Sequence, residues 1–64
     1  MPTKNKELAK KLSEAREKLG LTQAEVAKRT GMDVTYYARI ERGEINTSYA
    51  KLKKIYEALK IKSL

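Results

Sequence analysis

Residues 23–42 read QAEVAKRTGMDVTYYARIER and contain the start and stop signals of two consecutive helices. Thr22 and Glu25 have the spacing of a capping box, in which side chains and backbone N–H groups exchange hydrogen bonds at a helix start. Gly31 supplies the left-handed residue that ends the first helix, and Asp33 is a suitable N-cap for the second. The stretch therefore predicts two short helices joined by a tight turn, over residues 22–30 and 33–42.

The apolar residues of this stretch are spaced to pack the two helices against each other. They are Val26, Met32, Tyr37 and Ile40, and the small Ala27 allows the second helix to cross closely over the first. The second helix keeps another face free, which consists of Val34, Thr35, Ala38, Arg39 and Arg42. This face contains no acid, and no acid lies four residues before or after Arg39. We expect the face to contact a partner.

The flanking segments continue the helical pattern. Leu8, Leu12, Ala15 and Leu19 follow spacings of four, three and four, which predicts a helix over about 5–19. Apolar residues recur at helical spacing again from Tyr49 to Leu59, with Ser48 as N-cap, which predicts a helix over about 48–60. Nowhere does an alternation of period two indicate a strand. The predicted fold is all-α, a compact bundle of four short helices that forms a single domain over residues 1–64.

The composition narrows the range of functions. A chain of 64 residues without cysteine or histidine excludes disulfides, thiolate zinc sites and histidine-based acid–base catalysis. We therefore predict no metal, no cofactor, no small-molecule substrate and no enzymatic activity. Fifteen Lys and Arg against eight Asp and Glu give a net charge of +7, which favours an anionic partner.

Neither a membrane segment nor a secretory signal is expected. The longest uninterrupted apolar run covers only residues 36–38, and the basic N-terminus leads into an amphipathic segment. For a natural protein, this predicts a cytoplasmic location with the nucleoid.

From about Leu8 to Ile61 the sequence resembles the helix-turn-helix domains of lambda-type phage repressors and xenobiotic-response-element-like regulators. The segments that carry the resemblance are Gly20-Leu21-Thr22-Gln23, Ile40-Glu41-Arg42-Gly43-Glu44 and the closing stretch from Asn46 to Ile61. The resemblance implies sequence-specific binding of double-stranded DNA, with the helix over 33–42 in the major groove. It also implies a structural ion pair between Arg16 and Glu41.

Individual DNA contacts follow from the resemblance together with side-chain chemistry. The guanidinium of Arg39 suits the two acceptors of guanine, and Val34 suits a thymine methyl group. The predicted base-contacting residues are Val34, Thr35, Tyr36 and Arg39. The predicted phosphate-contacting residues are Thr22, Gln23, Arg42, Asn46, Thr47 and Ser48. The chain ends before the fifth helix that usually builds the family's dimer, so we expect a monomer, with a weak homodimer on DNA as the alternative.

Other interpretations of the same sequence remain open. A helical protein–protein interaction module of the antitoxin or adaptor type would need a large exposed apolar patch, for which the sequence offers Val34, Ile45 and Leu64. A membrane-surface binder is disfavoured because Trp and Phe are absent. The regular Lys, Glu and Ala faces suit a thermophile protein, or a designed or redesigned domain on a repressor-like scaffold.

Overall fold

The computed structural model describes the backbone of residues 2–62 and the side chains of residues 6–62. Four helices follow one another along the chain: α1 (Pro2–Lys18), α2 (Gln23–Thr30), α3 (Val34–Glu41) and α4 (Tyr49–Ala58). The prediction of an all-α fold with four helices is confirmed. The predicted bounds differ by up to three residues, mainly because α1 begins earlier and because the capping residues lie just outside α2, α3 and α4.

The capping box predicted at the start of α2 is formed. The Thr22 hydroxyl accepts a hydrogen bond from the Glu25 N–H at 3.0 Å, and the Thr22 N–H donates to Glu25 Oε1 at 2.7 Å. The hydrogen bond from the Thr22 backbone lowers the pKa of the Glu25 carboxyl. At the start of α3, the Asp33 carboxylate accepts from the Thr35 N–H at 2.9 Å. Both helices of the central pair therefore begin where their caps predict.

Two helix ends show what the turns require of the backbone. After α2, Gly31 has a φ of 73°, and the Met32 N–H then donates to the Ala27 carbonyl at 2.8 Å. After α4, Lys60 adopts the same left-handed conformation with a φ of 59°, and the Ile61 N–H donates to the Tyr56 carbonyl at 2.9 Å. Glycine adopts this conformation without strain, whereas lysine does not.

Each helix contributes one fully buried large side chain to a single core. These side chains are Leu12 of α1, Val26 of α2, Tyr37 of α3 and Ile55 of α4, each 0% exposed. Around them pack Ala27, Ile40, Tyr56 and Leu59. Helix α3 contacts both α1 and α2, and α4 contacts α2. Because α3 uses only one side for these contacts, its opposite side remains on the surface.

Several expectations about apolar residues are wrong. Leu19 is 40% exposed because α1 ends at Lys18, which takes Leu19 off the apolar stripe. Tyr49 is 69% exposed at the first position of α4, whereas Ile45, expected on the surface, packs against the core. Ala9 is buried, although the spacing argument did not include it. Leu64 lies outside the described residues.

Two further properties concern the described part of the chain as a whole. No helix in it is both long and apolar enough to cross a membrane. Between residues 2 and 62, acidic side chains form no cluster of three or more that can hold a metal ion.

Candidate nucleic-acid interface

The outer face of α3 carries three of the four predicted base-contacting residues. Tyr37 and Ile40 point into the core, while Val34, Thr35 and Arg39 are exposed. Thr35 and Arg39 are four residues apart and therefore neighbours on the helix surface. Val34 is 42% exposed, so its apolar side chain is available for contact.

A partly buried ion pair ties the end of α3 to α1. Arg16 Nε donates to Glu41 Oε2 at 2.7 Å, and Arg16 Nη2 donates to Glu41 Oε1 at 3.2 Å. The side chain of Arg16 is 15% exposed and that of Glu41 only 4% exposed. Arg16 Nη1 also donates to the Leu21 carbonyl at 2.8 Å, which brings the turn between α1 and α2 into the same network.

The hydrogen bonds of this network decide its charge state. Burial of Glu41 disfavours its ionised form, but hydrogen bonds from Arg16 and Gln23 outweigh burial, and the pKa of Glu41 lies below its usual value. The hydrogen bond with Glu41 in turn raises the pKa of the Arg16 guanidinium. Both groups are therefore charged at neutral pH, and the two-point contact fixes the position of α3 relative to α1.

Gln23, the first residue of α2, joins this network from the other side. Its Nε2 donates to Glu41 Oε1 at 3.0 Å. A carboxylate only accepts hydrogen bonds, so the NH2 group of the amide must face Glu41. One of its two N–H groups is used in this way, and the second is available to an acceptor such as a phosphate oxygen. The hydrogen bond to Glu41 thus fixes the orientation of the Gln23 amide that is predicted to contact a phosphate.

The Tyr37 hydroxyl is a polar group inside the core. It forms no hydrogen bond with the described residues, although its oxygen is buried. Burial raises the pKa of the Tyr37 phenol strongly, and the close Glu41 carboxylate raises it further, although the hydroxyl lacks the geometry of a hydrogen bond to it. Tyr37 therefore remains neutral and serves the core through its ring.

Tyr36 and Thr47, predicted to contact a base and a phosphate respectively, contact each other. Their hydroxyl oxygens are 3.0 Å apart. The Lys51 ammonium of α4 lies 4.8 Å from the centroid of the Tyr36 ring, which is a cation–π arrangement. Both contacts connect α3 to the loop and helix that follow it, so Tyr36 is half-buried and less available than the other three predicted base-contacting residues.

Arg39 and Arg42 share an acidic neighbour. Arg39 Nε lies 3.4 Å from Glu44 Oε1, and Arg42 Nε donates to Glu44 Oε2 at 2.7 Å. The sequence indicated no acid at helical spacing from Arg39, and the acid that contacts it lies beyond the end of α3. Glu44 is five residues beyond Arg39, outside the helical three- and four-residue spacings. Sequence reasoning missed it because the turn at Gly43 folds the chain back, with the Glu44 N–H donating to the Arg39 carbonyl at 3.0 Å.

The remaining predicted phosphate-contacting residues lie at helix starts or next to them. Thr22 and Ser48 are exposed N-caps of α2 and α4, and the Ser48 hydroxyl accepts from the Lys51 N–H at 3.2 Å. Each hydroxyl accepts in its cap and keeps its own O–H as a donor. Asn46 is exposed in the loop before α4.

The sequence comparison agrees with this architecture. A family model described as helix-turn-helix, of the lambda repressor/Cro-like type, matches residues 12–64, which is most of the chain. No curated protein and no solved structure matches the chain significantly. The matched region contains α2, α3 and α4 and the turns that connect them. The chain belongs to the lambda repressor/Cro-like family of DNA-binding helix-turn-helix domains.

Proposed function

We propose that the protein is a sequence-specific binder of double-stranded DNA that inserts α3 into the major groove and has no catalytic role. The observation that carries this proposal is the exposed face of α3, formed by Val34, Thr35 and Arg39, on a helix whose other face is fixed in the core. An α-helix fits the major groove, where each base pair presents a distinct set of donors and acceptors.

Base reading rests on the chemistry of this face. The planar guanidinium of Arg39 can donate two parallel hydrogen bonds to O6 and N7 of guanine, which lysine cannot do. Val34 offers an apolar contact to a thymine methyl group, and the Thr35 hydroxyl can donate or accept. Tyr36 contributes at most one further hydroxyl contact, since it already faces Thr47.

Phosphate contacts would hold α3 in register. Gln23 presents its second N–H at the start of α2, and Thr22 presents its hydroxyl beside it. Arg42 is the C-cap of α3, and Asn46 and Thr47 lie in the loop before α4, whose N-cap is Ser48. Contacts from the start of α2 and from this loop would fix the orientation of the inserted helix while carrying no sequence information.

The size of the protein is suited to the binding of one copy to one segment of the major groove, and its charge is suited to binding DNA. The Cα atoms extend over 28 Å along the longest axis, a length comparable with the roughly 34 Å of one turn of B-DNA. The net charge of +7 steers the protein to the duplex and supplies the part of the affinity that does not depend on sequence.

The alternative of a protein–protein interaction module has weaker support. The large apolar side chains that are exposed in the described part of the chain are Leu19, Val34 and Tyr49. They belong to three different segments, the end of α1, the start of α3 and the start of α4. An interaction module would be expected to expose more large apolar side chains than these, in a patch of roughly several hundred Å².

Selection of bound sites from a random duplex pool tests the proposal, followed by binding measurements on the selected site. Arg39→Ala should lose about 1–3 kcal/mol on that site, relax selection at one base pair and affect random duplexes much less. Arg39→Lys should restore the charge without the full preference. Arg29→Ala is the matched control, because it removes the same exposed side chain from α2. Equal loss on selected and random duplexes would move Arg39 to the phosphate contacts, and a pool without enrichment would refute specific binding.

A further inference from the structure

We infer that Tyr36 is a positioning residue, which holds the loop before α4 in place for DNA backbone contacts through the hydrogen bond of its hydroxyl with Thr47. The inference rests on the proposed function, in which this loop contacts phosphates. It gives the Tyr36 hydroxyl a role other than the predicted base contact. The affinity for DNA depends on this hydroxyl, and the choice of bases does not.

Tyr36 lies at the border between the buried and the exposed face of α3. Its ring packs against the core and is half-buried. On the surface of the same helix, its neighbour Ile40 is buried, whereas its neighbour Arg39 is exposed. From this position the hydroxyl reaches the loop, where its oxygen lies 3.0 Å from the Thr47 hydroxyl oxygen. A side-chain contact thus joins α3 to the loop.

The middle of the loop forms few hydrogen bonds. Among the described residues, no backbone–backbone hydrogen bond involves residues 45–47. Packing of Ile45 against the core holds the beginning of this segment. The hydrogen bond between Tyr36 and Thr47 is the one that residues 45–47 form with the described part of the chain. The conformation of the loop therefore depends on the Tyr36 hydroxyl.

Lys51 provides a second contact between Tyr36 and the segment that follows the loop. Its ammonium lies 4.8 Å from the centroid of the Tyr36 ring, and its backbone N–H donates to the Ser48 hydroxyl at 3.2 Å. The ammonium contacts the ring, and a phenylalanine at position 36 retains the ring. Tyr36→Phe therefore removes the contact with Thr47 and keeps the contact with Lys51.

A hydrogen bond that exists in both the free and the bound protein changes affinity only through the free protein. With the bond, the loop of the free protein already has the conformation that contacts DNA. Without it, a fraction of the molecules adopts other loop conformations, and the apparent affinity falls in proportion to the fraction that remains competent. A neutral hydrogen bond shifts an equilibrium by up to about tenfold, and Ile45 still packs against the core, so we expect about 2- to 5-fold weaker binding.

The test measures affinity for the selected duplex and for duplexes that differ from it by one base pair. Tyr36→Phe should bind all of them about 2- to 5-fold more weakly, with unchanged relative affinities, because phosphate contacts carry no sequence information. Tyr56→Phe is the matched control. It removes a hydroxyl from a tyrosine of α4 that is 6% exposed and outside the candidate interface, so its affinity should equal that of the unsubstituted protein.

Thr47→Val shows whether Tyr36 acts through Thr47. Valine has the shape of threonine but lacks the hydroxyl, and the substitution also removes the predicted phosphate contact of Thr47. The informative quantity is therefore the effect of Tyr36→Phe within Thr47→Val. Since the hydrogen bond is already lost there, Tyr36→Phe should cause no further loss of affinity.

A measurement on the free protein examines the loop without DNA. Amide nitrogen relaxation in NMR, including relaxation dispersion, reports motion on the fast and the slow timescale. In Tyr36→Phe, residues 45–47 should show lower order parameters or new exchange broadening, and the residues of α2 should show neither. A loss of global stability alone would not produce this local difference.

Several results would overturn the inference while leaving DNA binding by the unsubstituted protein intact. A lost preference at one base pair in Tyr36→Phe would return the hydroxyl to base contact. Unchanged or tighter binding by Tyr36→Phe, or an equal loss within Thr47→Val, would show that the loop is not positioned through Thr47. Unchanged relaxation of residues 45–47 would show that the loop is held without the bond. If the unsubstituted protein binds no duplex, the proposed function fails and the inference fails with it.

Discussion

Replacement of Arg16 by methionine should cost about 3 kcal/mol of unfolding free energy. The substitution keeps the apolar part of the side chain but leaves Glu41, only 4% exposed, without its charged partner. Loss of one member of a buried ion pair costs about 3–5 kcal/mol. The lower end applies here, because Gln23 still donates to the carboxylate and Arg16 itself is 15% exposed.

This loss is large for a chain of 64 residues. Domains of this size have an unfolding free energy of about 3–10 kcal/mol. At about 4–8 °C for each kcal/mol, Arg16→Met should lower the Tm by about 12–24 °C. Urea denaturation followed by circular dichroism measures the free energy, and thermal melting of the same samples measures the Tm. Arg29→Met is the control, since this exposed arginine should change stability by about 0.5 kcal/mol or less.

A double-mutant cycle separates the ion pair from the other contacts of its two members. Glu41→Gln removes the charge of the carboxylate, and the double variant Arg16→Met with Glu41→Gln removes both charges. The double variant should be more stable than the sum of the single losses predicts, with a coupling of about 1.5–3 kcal/mol. Additive losses would refute the reasoning, because they would show that α1 and α3 are not held together by this pair.

Three further expectations concern stability. The pKa of the Glu41 carboxyl is lowered in the folded protein, so its contribution to the unfolding free energy is present above the ordinary pKa of 4.5 and is lost as pH falls through the lowered pKa. The stability difference between the unsubstituted protein and Glu41→Gln should therefore shrink below about pH 4.5. Acid denaturation curves that show a constant difference would contradict this. Tyr37→Phe should raise the unfolding free energy or leave it unchanged within about 0.5 kcal/mol, because the hydroxyl has no hydrogen-bond partner among the described residues. If urea denaturation gave an unfolding free energy lower by about 1 kcal/mol or more, the hydroxyl would have to bond to Glu41. Lys60 and Gly31 both have a positive φ, which glycine adopts without strain and other residues do not. Lys60→Gly should therefore stabilise the fold by up to about 1 kcal/mol, and Gly31→Ala should destabilise it by about 1–2 kcal/mol. Shifts of the Tm in the opposite directions would reject the turn assignments.

The helices were predictable because their signals are local. Thr22 with Glu25, Asp33 and Ser48 each lie next to the helix that they cap, and no distant part of the chain is needed to interpret them. The buried residues of α2 and α3 were predictable for the same reason. Once the start of a helix is known, its period determines which residues face the core. The errors lie at helix ends. Leu19 follows the apolar pattern but comes after the last residue of α1, and Tyr49 is the first residue of α4, where the helix does not yet contact the core.

The candidate interface was predictable only in part. The exposure of Val34, Thr35 and Arg39 follows from the burial of the opposite face of α3. Two contacts could not be derived from helical spacing, because they depend on how loops return to the helix. One is the Tyr36 hydroxyl beside Thr47, and the other is Glu44 beside Arg39 and Arg42. When a glycine with a positive φ ends a helix, the next residue lies beside the residue five positions before it, as Glu44 lies beside Arg39.

The salt dependence of duplex affinity tests the central claim most directly. Each neutralised phosphate adds about −0.9 to the slope of log K against log salt concentration. If Lys and Arg side chains of this basic domain neutralise about four to six phosphates, the account predicts a slope between about −3.6 and −5.4 for the unsubstituted protein. Fluorescence anisotropy of a labelled duplex, titrated at several salt concentrations, gives the value. A slope near zero, or no binding at low salt, would contradict the account.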